Sequence, residues 1–143
     1  MALPLTRIMS TAVEILEPDA TLEEAVRRMR RHQIGMLPRC DGTRILGTVT
    51  DRDITVRATA SGSDPRTARV STVMSEDVRC CNAEDDLLSV VQQMREHQLR
   101  RLPVLDGQRN LGGMISLADV ARHSEECTAG DRPARHLSPV RQR

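Results

Sequence analysis

Residues 47–54 read Gly-Thr-Val-Thr-Asp-Arg-Asp-Ile, and residues 113–120 read Gly-Met-Ile-Ser-Leu-Ala-Asp-Val. Both stretches begin with glycine, continue through an apolar run to a hydroxyl residue, and carry aspartate three places after that hydroxyl. A hydroxyl residue at the end of an apolar run is well suited to cap a following helix. The chain therefore contains two copies of a strand that leads directly into a helix.

The repetition extends over most of the 143 residues. The matching pairs are Met9 and Met74, Leu22 and Leu87, Val26 and Val91, Met29 and Met94, His32 and His97, Leu37 and Leu102, and Asp41 and Asp106. One inserted residue near Asn110 separates these pairs from the matches quoted above. Matches that keep chain order across both halves indicate an internal duplication.

Each copy has the same predicted layout, strand–helix–strand–strand–helix, which is an α+β fold of two βαββα repeats. Apolar residues at helical spacing predict the first helix of each copy and the face that it packs on the core: Leu22, Ala25, Val26 and Met29, and likewise Leu87, Val90, Val91 and Met94. Asp-Gly predicts the turn of each hairpin. Thr21 and Glu24 are spaced as a capping box, and Asp86 holds the equivalent cap position. The predicted extended segments are 12–16 and 78–81, and the predicted hairpin strands are 37–40 with 45–49 and 102–105 with 111–115.

These patterns divide the chain into four parts. We assign residues 6–60 to the first repeat and 73–123 to the second. The polar stretch within 61–72 is expected to be a linker loop. The tail, 124–143, has no apolar periodicity and is expected to be disordered.

The composition excludes several classes of protein. The chain contains no Phe, Trp or Tyr, so it offers no aromatic surface on which bases could stack, and its net charge is only +1. These features argue against a nucleic-acid partner. No apolar run is long enough to span a membrane, and no signal peptide precedes the repeats, so we expect a cytoplasmic protein. The four cysteines, Cys40, Cys80, Cys81 and Cys127, form no CxxC pair and are expected to be free thiols.

The repeats resemble the cystathionine-β-synthase (CBS) domain pair, also known as a Bateman module. Three motifs carry the resemblance: Val-Met-Ser at 73–75, Leu-Pro-x-x-Asp-Gly at 102–107, and the stretch at 47–54. The similarity covers roughly residues 6–122. It implies two repeats packed in a sandwich-like α/β arrangement about a pseudo-twofold axis, with two clefts between them.

The resemblance also implies a function. Many members of this family bind AMP, ADP, ATP, S-adenosylmethionine or NADH, with or without Mg²⁺, as a regulatory ligand and not as a catalytic cofactor. Members commonly form homodimers and act on a downstream protein partner. Short members without an attached catalytic domain exist, and this chain looks like one.

Four residues are candidates for binding ribose and the adjacent phosphate: Thr50, Asp53, Ser116 and Asp119. A carboxylate at the first turn of a helix can accept hydrogen bonds from the cis-diol of ribose, and such bonds to a charged acceptor contribute about 1.5–3 kcal/mol each. The structural alternative is that these side chains only cap their helices.

Arginines are candidates for binding phosphate. Arg100 and Arg101 occupy a position from which members of the family reach ligand phosphates, and Arg52 is a second candidate; the alternative is that all three are solvated surface residues. Gly35 and Met36 replace the arginine pair in the first repeat. We therefore expect the two clefts to differ.

Six apolar residues are candidates for contact with adenine, and the alternative for each is ordinary core packing. They are Val13, Val78, Leu37, Pro38, Leu102 and Pro103.

No catalytic residue and no metal site is predicted, since the sequence lacks a nucleophile motif, a phosphate-binding glycine loop and an HxxxH pair. His32 and His97 end equivalent helices, where they are expected to favour the negative end of the helix dipole. Two other functions remain open: a dimerisation or adaptor scaffold that binds no small ligand, and a thiol redox sensor that uses Cys80 and Cys81.

Overall fold

The computed structural model describes residues 4–128, which form two compact units. The first-repeat unit is residues 14–78, and the second-repeat unit combines residues 4–13 with residues 79–128. The chain thus passes from one unit to the other twice, and neither unit coincides with one sequence repeat.

The first-repeat unit contains two helices and a hairpin. Its elements are α1 (Leu22–His32), β1 (Met36–Asp41), β2 (Arg44–Thr50), α2 (Asp51–Asp53, continued by a π-helical segment Ile54–Thr59) and a 3₁₀ turn (Val70–Thr72). The second-repeat unit has a matching set. It comprises a 3₁₀ turn (Leu5–Arg7), β3 (Cys81–Asn82), α3 (Leu87–Glu96), β4 (Arg101–Leu105), β5 (Leu111–Ser116) and α4 (Leu117–Thr128).

Each long helix packs one face on a sheet. Helix α1 buries Leu22, Ala25 and Met29, and it leaves Val26 44% exposed. The prediction that Val26 belongs to the buried stripe is wrong, because only the narrow line through the other three residues meets the sheet. Helix α3 buries Val90 and Met94.

The helix caps differ from the predicted ones in part. Thr21 Oγ1 accepts a hydrogen bond from the Glu24 amide at 3.3 Å, which is one half of the predicted capping box. Asp86 lies at the N-cap of α3, but its side chain makes no capping bond. Its backbone carbonyl accepts hydrogen bonds from the Ser89 hydroxyl and the Val90 amide instead.

Both hairpins are antiparallel and carry a bulge at equivalent places. Strand β1 pairs with β2 from Met36↔Thr50 to Asp41↔Arg44. Strand β4 pairs with β5 from Arg101↔Ser116 to Leu105↔Leu111. The predicted first extended segment contributes a single parallel pairing, of Leu16 with Arg39, whereas β3 pairs with β4 in parallel through Cys81 and Asn82.

The outer edge of each hairpin is covered by the opening Met-Ser of the other sequence repeat. In the first-repeat unit, Ser75 and Thr48 exchange backbone hydrogen bonds of 3.0 and 3.1 Å. In the second-repeat unit, Ser10 and Met114 do the same at 2.8 and 2.9 Å. Sequence similarity alone cannot reveal this exchange, because the two opening segments are nearly identical.

The repeated glycines make this close contact possible. A Cβ atom at Gly47 would lie 2.8 Å from the Ser75 carbonyl oxygen and 2.9 Å from Met74 Sδ. A Cβ atom at Gly113 would lie 2.9 Å from the Ser10 carbonyl oxygen and 2.7 Å from Met9 Sδ. Glycine is therefore required at both positions by the backbone of the docked segment.

Each unit has its own aliphatic core. The core of the first-repeat unit includes Leu16, Leu22, Leu37, Val49 and Val70, all fully buried. Val70 lies within the stretch predicted as a linker loop, so the end of that stretch packs as core and does not serve as a linker. The core of the second-repeat unit is built around a matching set. Its fully buried members are Leu5, Met94, Leu102, Val104 and Ile115.

Helix α4 continues to Thr128, past residue 124, where the sequence analysis placed the start of a disordered tail. That boundary is therefore wrong for residues 124–128, and the prediction for residues 129–143 concerns residues outside those described. Among the described residues, no helix is both long and apolar enough to cross a membrane.

Substituting alanine at Gly47 or Gly113 should lower the free energy of unfolding by about 1–3 kcal/mol, because the new methyl group overlaps a backbone carbonyl. Urea unfolding followed by far-ultraviolet circular dichroism measures this. Gly112→Ala is the matched control, since a Cβ atom there would lie 3.6 Å from its nearest neighbour. Equal stability of Gly113→Ala and Gly112→Ala would contradict the docking constraint.

Candidate functional site

The end of β2 positions the first pair of candidate ribose ligands. Thr50 is the N-cap of α2, and its hydroxyl accepts a hydrogen bond from the Asp53 amide at 3.0 Å. Asp53 Oδ2 in turn accepts one from the Thr50 amide at 3.0 Å. This reciprocal capping box fixes the orientation of the carboxylate.

The end of β5 repeats the arrangement. Asp119 donates its amide to Ser116 Oγ at 3.0 Å, and Asp119 Oδ2 accepts from the Ser116 amide at 3.1 Å. Ser116 is only 4% exposed. The capping role weighed in the sequence analysis is thus present at both junctions, and it uses one carboxylate oxygen of each aspartate.

The remaining oxygens of the two aspartates differ. Asp119 Oδ1 accepts a hydrogen bond from Arg122 at 2.6 Å. Among the described residues, none donates a hydrogen bond to Asp53 Oδ1. The first-repeat unit therefore presents a carboxylate oxygen that is held in place and available to a ligand. The sequence analysis missed Arg122, although arginine three places after aspartate on a helix is a recognisable ion-pair spacing.

The candidate arginines lie at both junctions. Arg101 is the cross-strand partner of Ser116, and the Arg100 carbonyl accepts from the Leu117 amide at 2.9 Å. Arg101 thus begins β4, and Arg100 immediately before it is bonded to the start of α4. At the corresponding place in the first-repeat unit, Met36 faces Thr50. Arg52 is exposed in the first turn of α2.

The apolar candidates separate into two groups. Leu37 and Leu102 are fully buried within the two cores, and Pro38 and Pro103 are also buried. For Leu37 and Leu102 the structure therefore shows the core-packing role. Val13 and Val78 are half-buried, and each is the last residue before the chain passes to the other unit.

The two histidines contact charged groups at equivalent places. His32 Nε2 lies 3.0 Å from Glu14 Oε1, and His97 Nε2 lies 3.0 Å from an Arg79 guanidinium nitrogen. Glu14 and Arg79 are the first residues after the two crossings of the chain between units. The histidines thus contact charged side chains at these crossings, in addition to lying at helix ends as predicted.

Cys40, Cys80 and Cys81 are poorly suited to rapid redox chemistry. Burial raises the pKa of Cys40 to about 11 and that of Cys81 to about 12, and it also raises the pKa of Cys80. Thiolate is the reactive form of cysteine, so these shifts suppress reaction with oxidants. Among the described residues, no cluster of His, Cys, Asp and Glu is arranged to hold a metal ion.

We expect Cys40 and Cys81 to resist thiol reagents while the chain is folded, because at pH 8 roughly one thiol in a thousand or fewer would be ionised. The chain with Cys80→Ser and Cys127→Ser isolates these two thiols. Its labelling by dithiobis(nitrobenzoate) should be at least about a hundredfold slower than in urea, where both thiols regain an ordinary pKa near 8.5. Labelling at the same rate in both conditions would contradict the protection of these two thiols by burial.

A family model described as the CBS domain matches residues 5–58 and again residues 70–126. The chain belongs to the CBS domain family. The two matches confirm the tandem pair, and the helices with two small sheets confirm the α+β fold. A CBS domain pair is a regulatory module.

Two bacterial relatives resemble this CBS pair over most of their length. The CBS domain-containing protein YhcV of Bacillus subtilis is 41% identical over 113 residues, which is 79% of each chain. Hypoxic response protein 1 of Mycobacterium tuberculosis is 38% identical over 120 residues, 83% of each chain. The crystal structure of Hypoxic Response Protein I, with two coordinated zinc ions, has a TM-score of 0.77 and covers 85% of this chain and 98% of its own.

Solved structures with adenosine compounds share the fold. CBSX2 in complex with AMP has a TM-score of 0.75 at 19% identity, covering 87% of this chain and 98% of its own. The CBS pair of MJ0100, in complex with methylthioadenosine and S-adenosylmethionine, has a TM-score of 0.73 at 21% identity, covering 85% and 99%. At these identities the likeness concerns the fold alone.

Proposed function

We propose that this CBS pair binds an adenosine-containing regulatory ligand and that the Asp53 carboxylate holds the ribose diol. The observation that carries the proposal is the oxygen Oδ1 of Asp53, which accepts no hydrogen bond from any residue that the structure describes, on a carboxylate whose other oxygen is fixed by the Thr50 amide. Structures of the same fold that hold AMP or S-adenosylmethionine support the ligand class.

The physical basis is preorganisation. A flexible carboxylate would lose rotational freedom on binding, whereas the capping box has already fixed that of Asp53. A carboxylate oxygen has lone pairs for two donors, and the two hydroxyls of a cis-diol are both donors. The Thr50 hydroxyl and the exposed Arg52 side chain stand beside the same helix start, where they can serve the phosphate.

Regulation follows if the ligand prefers one state of the protein. A ligand shifts a conformational or oligomeric equilibrium only by its differential affinity for the two states. We propose that a downstream protein responds to that shift, that the chain acts as a homodimer, and that no catalytic step is involved. The aspartates of the capping boxes are committed to backbone amides, which suits binding better than proton transfer.

A thermal-shift panel of AMP, ADP, ATP, S-adenosylmethionine and NADH tests the proposal. A ligand at about 100 times its Kd should stabilise the fold by about 2.7 kcal/mol, which appears as a higher Tm. Because the chain has no aromatic residue, the unfolding must be followed by circular dichroism or an added dye.

Asp53→Asn should weaken binding of the ligand by about tenfold to a hundredfold, since it removes hydrogen bonds to a charged acceptor. The asparagine carbonyl can still accept from the Thr50 amide, so the cap and the stability of the free protein should change little. Isothermal titration gives the Kd. Unaltered affinity in this variant would refute the ribose role, and no response to any of the five compounds would favour the scaffold function instead.

A further inference from the structure

The second-repeat unit contains an ion pair that has no counterpart in the first. Arg122 donates to Asp119 Oδ1 at 2.6 Å, while Asp119 Oδ2 accepts from the Ser116 amide. Both oxygens of this carboxylate are therefore engaged within its own helix start. The side chain of Asp119 is 18% exposed and that of Arg122 is 70% exposed, so the guanidinium covers the open side of the carboxylate.

The equivalent position in the first repeat is Val56, as the matches of Gly47 with Gly113 and of Asp53 with Asp119 establish. Val56 is 55% exposed and has no donor group. The two aspartates share one backbone setting and one capping box, and they differ in whether a cation three residues later holds the outer oxygen.

We infer that Arg122 is a specificity-determining residue, which directs the ribose of the ligand to Asp53 by occupying Asp119. The inference rests on the function proposed above. A diol that approaches Asp119 must displace a charge-assisted hydrogen bond, and a neutral hydroxyl is a weaker donor than a guanidinium. Because Arg122 is largely exposed, solvent weakens this competition, and we expect a penalty of about twofold to fivefold in affinity.

The phosphate of a nucleotide complicates a simple affinity measurement, because removing an arginine also removes a positive charge that attracts phosphate. Comparing AMP with 2′-deoxy-AMP removes this complication. Both carry the same phosphate, and only AMP has the cis-diol. The ratio of their dissociation constants therefore reports the diol contact alone.

The experiment titrates the full chain with AMP and 2′-deoxy-AMP by calorimetry. In the Asp53→Asn chain, residual binding should show little preference for AMP. Adding Arg122→Val, which places the first-repeat residue in the second repeat, should raise the preference for AMP over 2′-deoxy-AMP by about twofold to fivefold. Adding Asp119→Asn to that double variant should abolish the gain. The reverse substitution, Val56→Arg in the otherwise unaltered chain, should lower the preference for AMP by a similar factor.

Two results would overturn the role of Arg122 while leaving the proposed function intact. One is an Asp53→Asn/Arg122→Val chain whose preference for AMP over 2′-deoxy-AMP is no greater than that of Asp53→Asn alone. The other is a single Asp119→Asn variant that loses as much affinity for AMP as the single Asp53→Asn variant. An unaltered chain that binds AMP and 2′-deoxy-AMP equally, or that binds none of the five adenosine compounds, would overturn both the ribose role of Asp53 and this inference.

Discussion

The fold depends on a backbone contact that leaves no room for a side chain. The Ser75 carbonyl oxygen lies only 2.8 Å from the position that a Cβ atom at residue 47 would take, and the Ser10 carbonyl oxygen lies 2.9 Å from the same position at residue 113. This contact sets the position of the strand that leads to Thr50 or Ser116. The strand ends in the capping box, and the capping box orients the aspartate. A constraint at one edge of the sheet therefore determines the geometry of the candidate site.

The sequence predicts most of the elements because each has a local signal. The helical spacing of Leu22, Ala25 and Met29, the Asp-Gly turns and the hydroxyl caps depend on neighbours in the chain. The partner of the opening Met-Ser segment depends on long-range packing, and either hairpin offers the same glycine. Duplication thus makes the repeats easy to detect. For the same reason, the sequence does not show which of the two hairpins each opening segment pairs with.

The sequence predicts which residues are candidates for the site, but it does not predict which hydrogen bonds their side chains make. The spacing of Thr50 and Asp53 is compatible with capping and with ligand binding, and the structure shows that capping uses only one carboxylate oxygen. The role of Arg122 depends on the conformation of its side chain, and the spacing of residues in the sequence does not determine that conformation. Leu37 and Leu102 were candidates for contact with adenine, and the structure places both in the cores. An apolar residue on a strand has the same sequence pattern whether it lies in a core or beside a ligand.

The exchange of opening segments has a consequence for how such a chain can change over time. Each compact unit is assembled from both copies of the duplicated sequence, so deleting one copy would remove the segment that bridges to the outer edge of the sheet that survives. That sheet would expose unpaired amide and carbonyl groups, which readily pair with other chains. The two repeats can diverge in sequence, as Arg122 and Val56 show. Loss of either repeat, however, would leave the remaining sheet with an unpaired edge that is prone to aggregation.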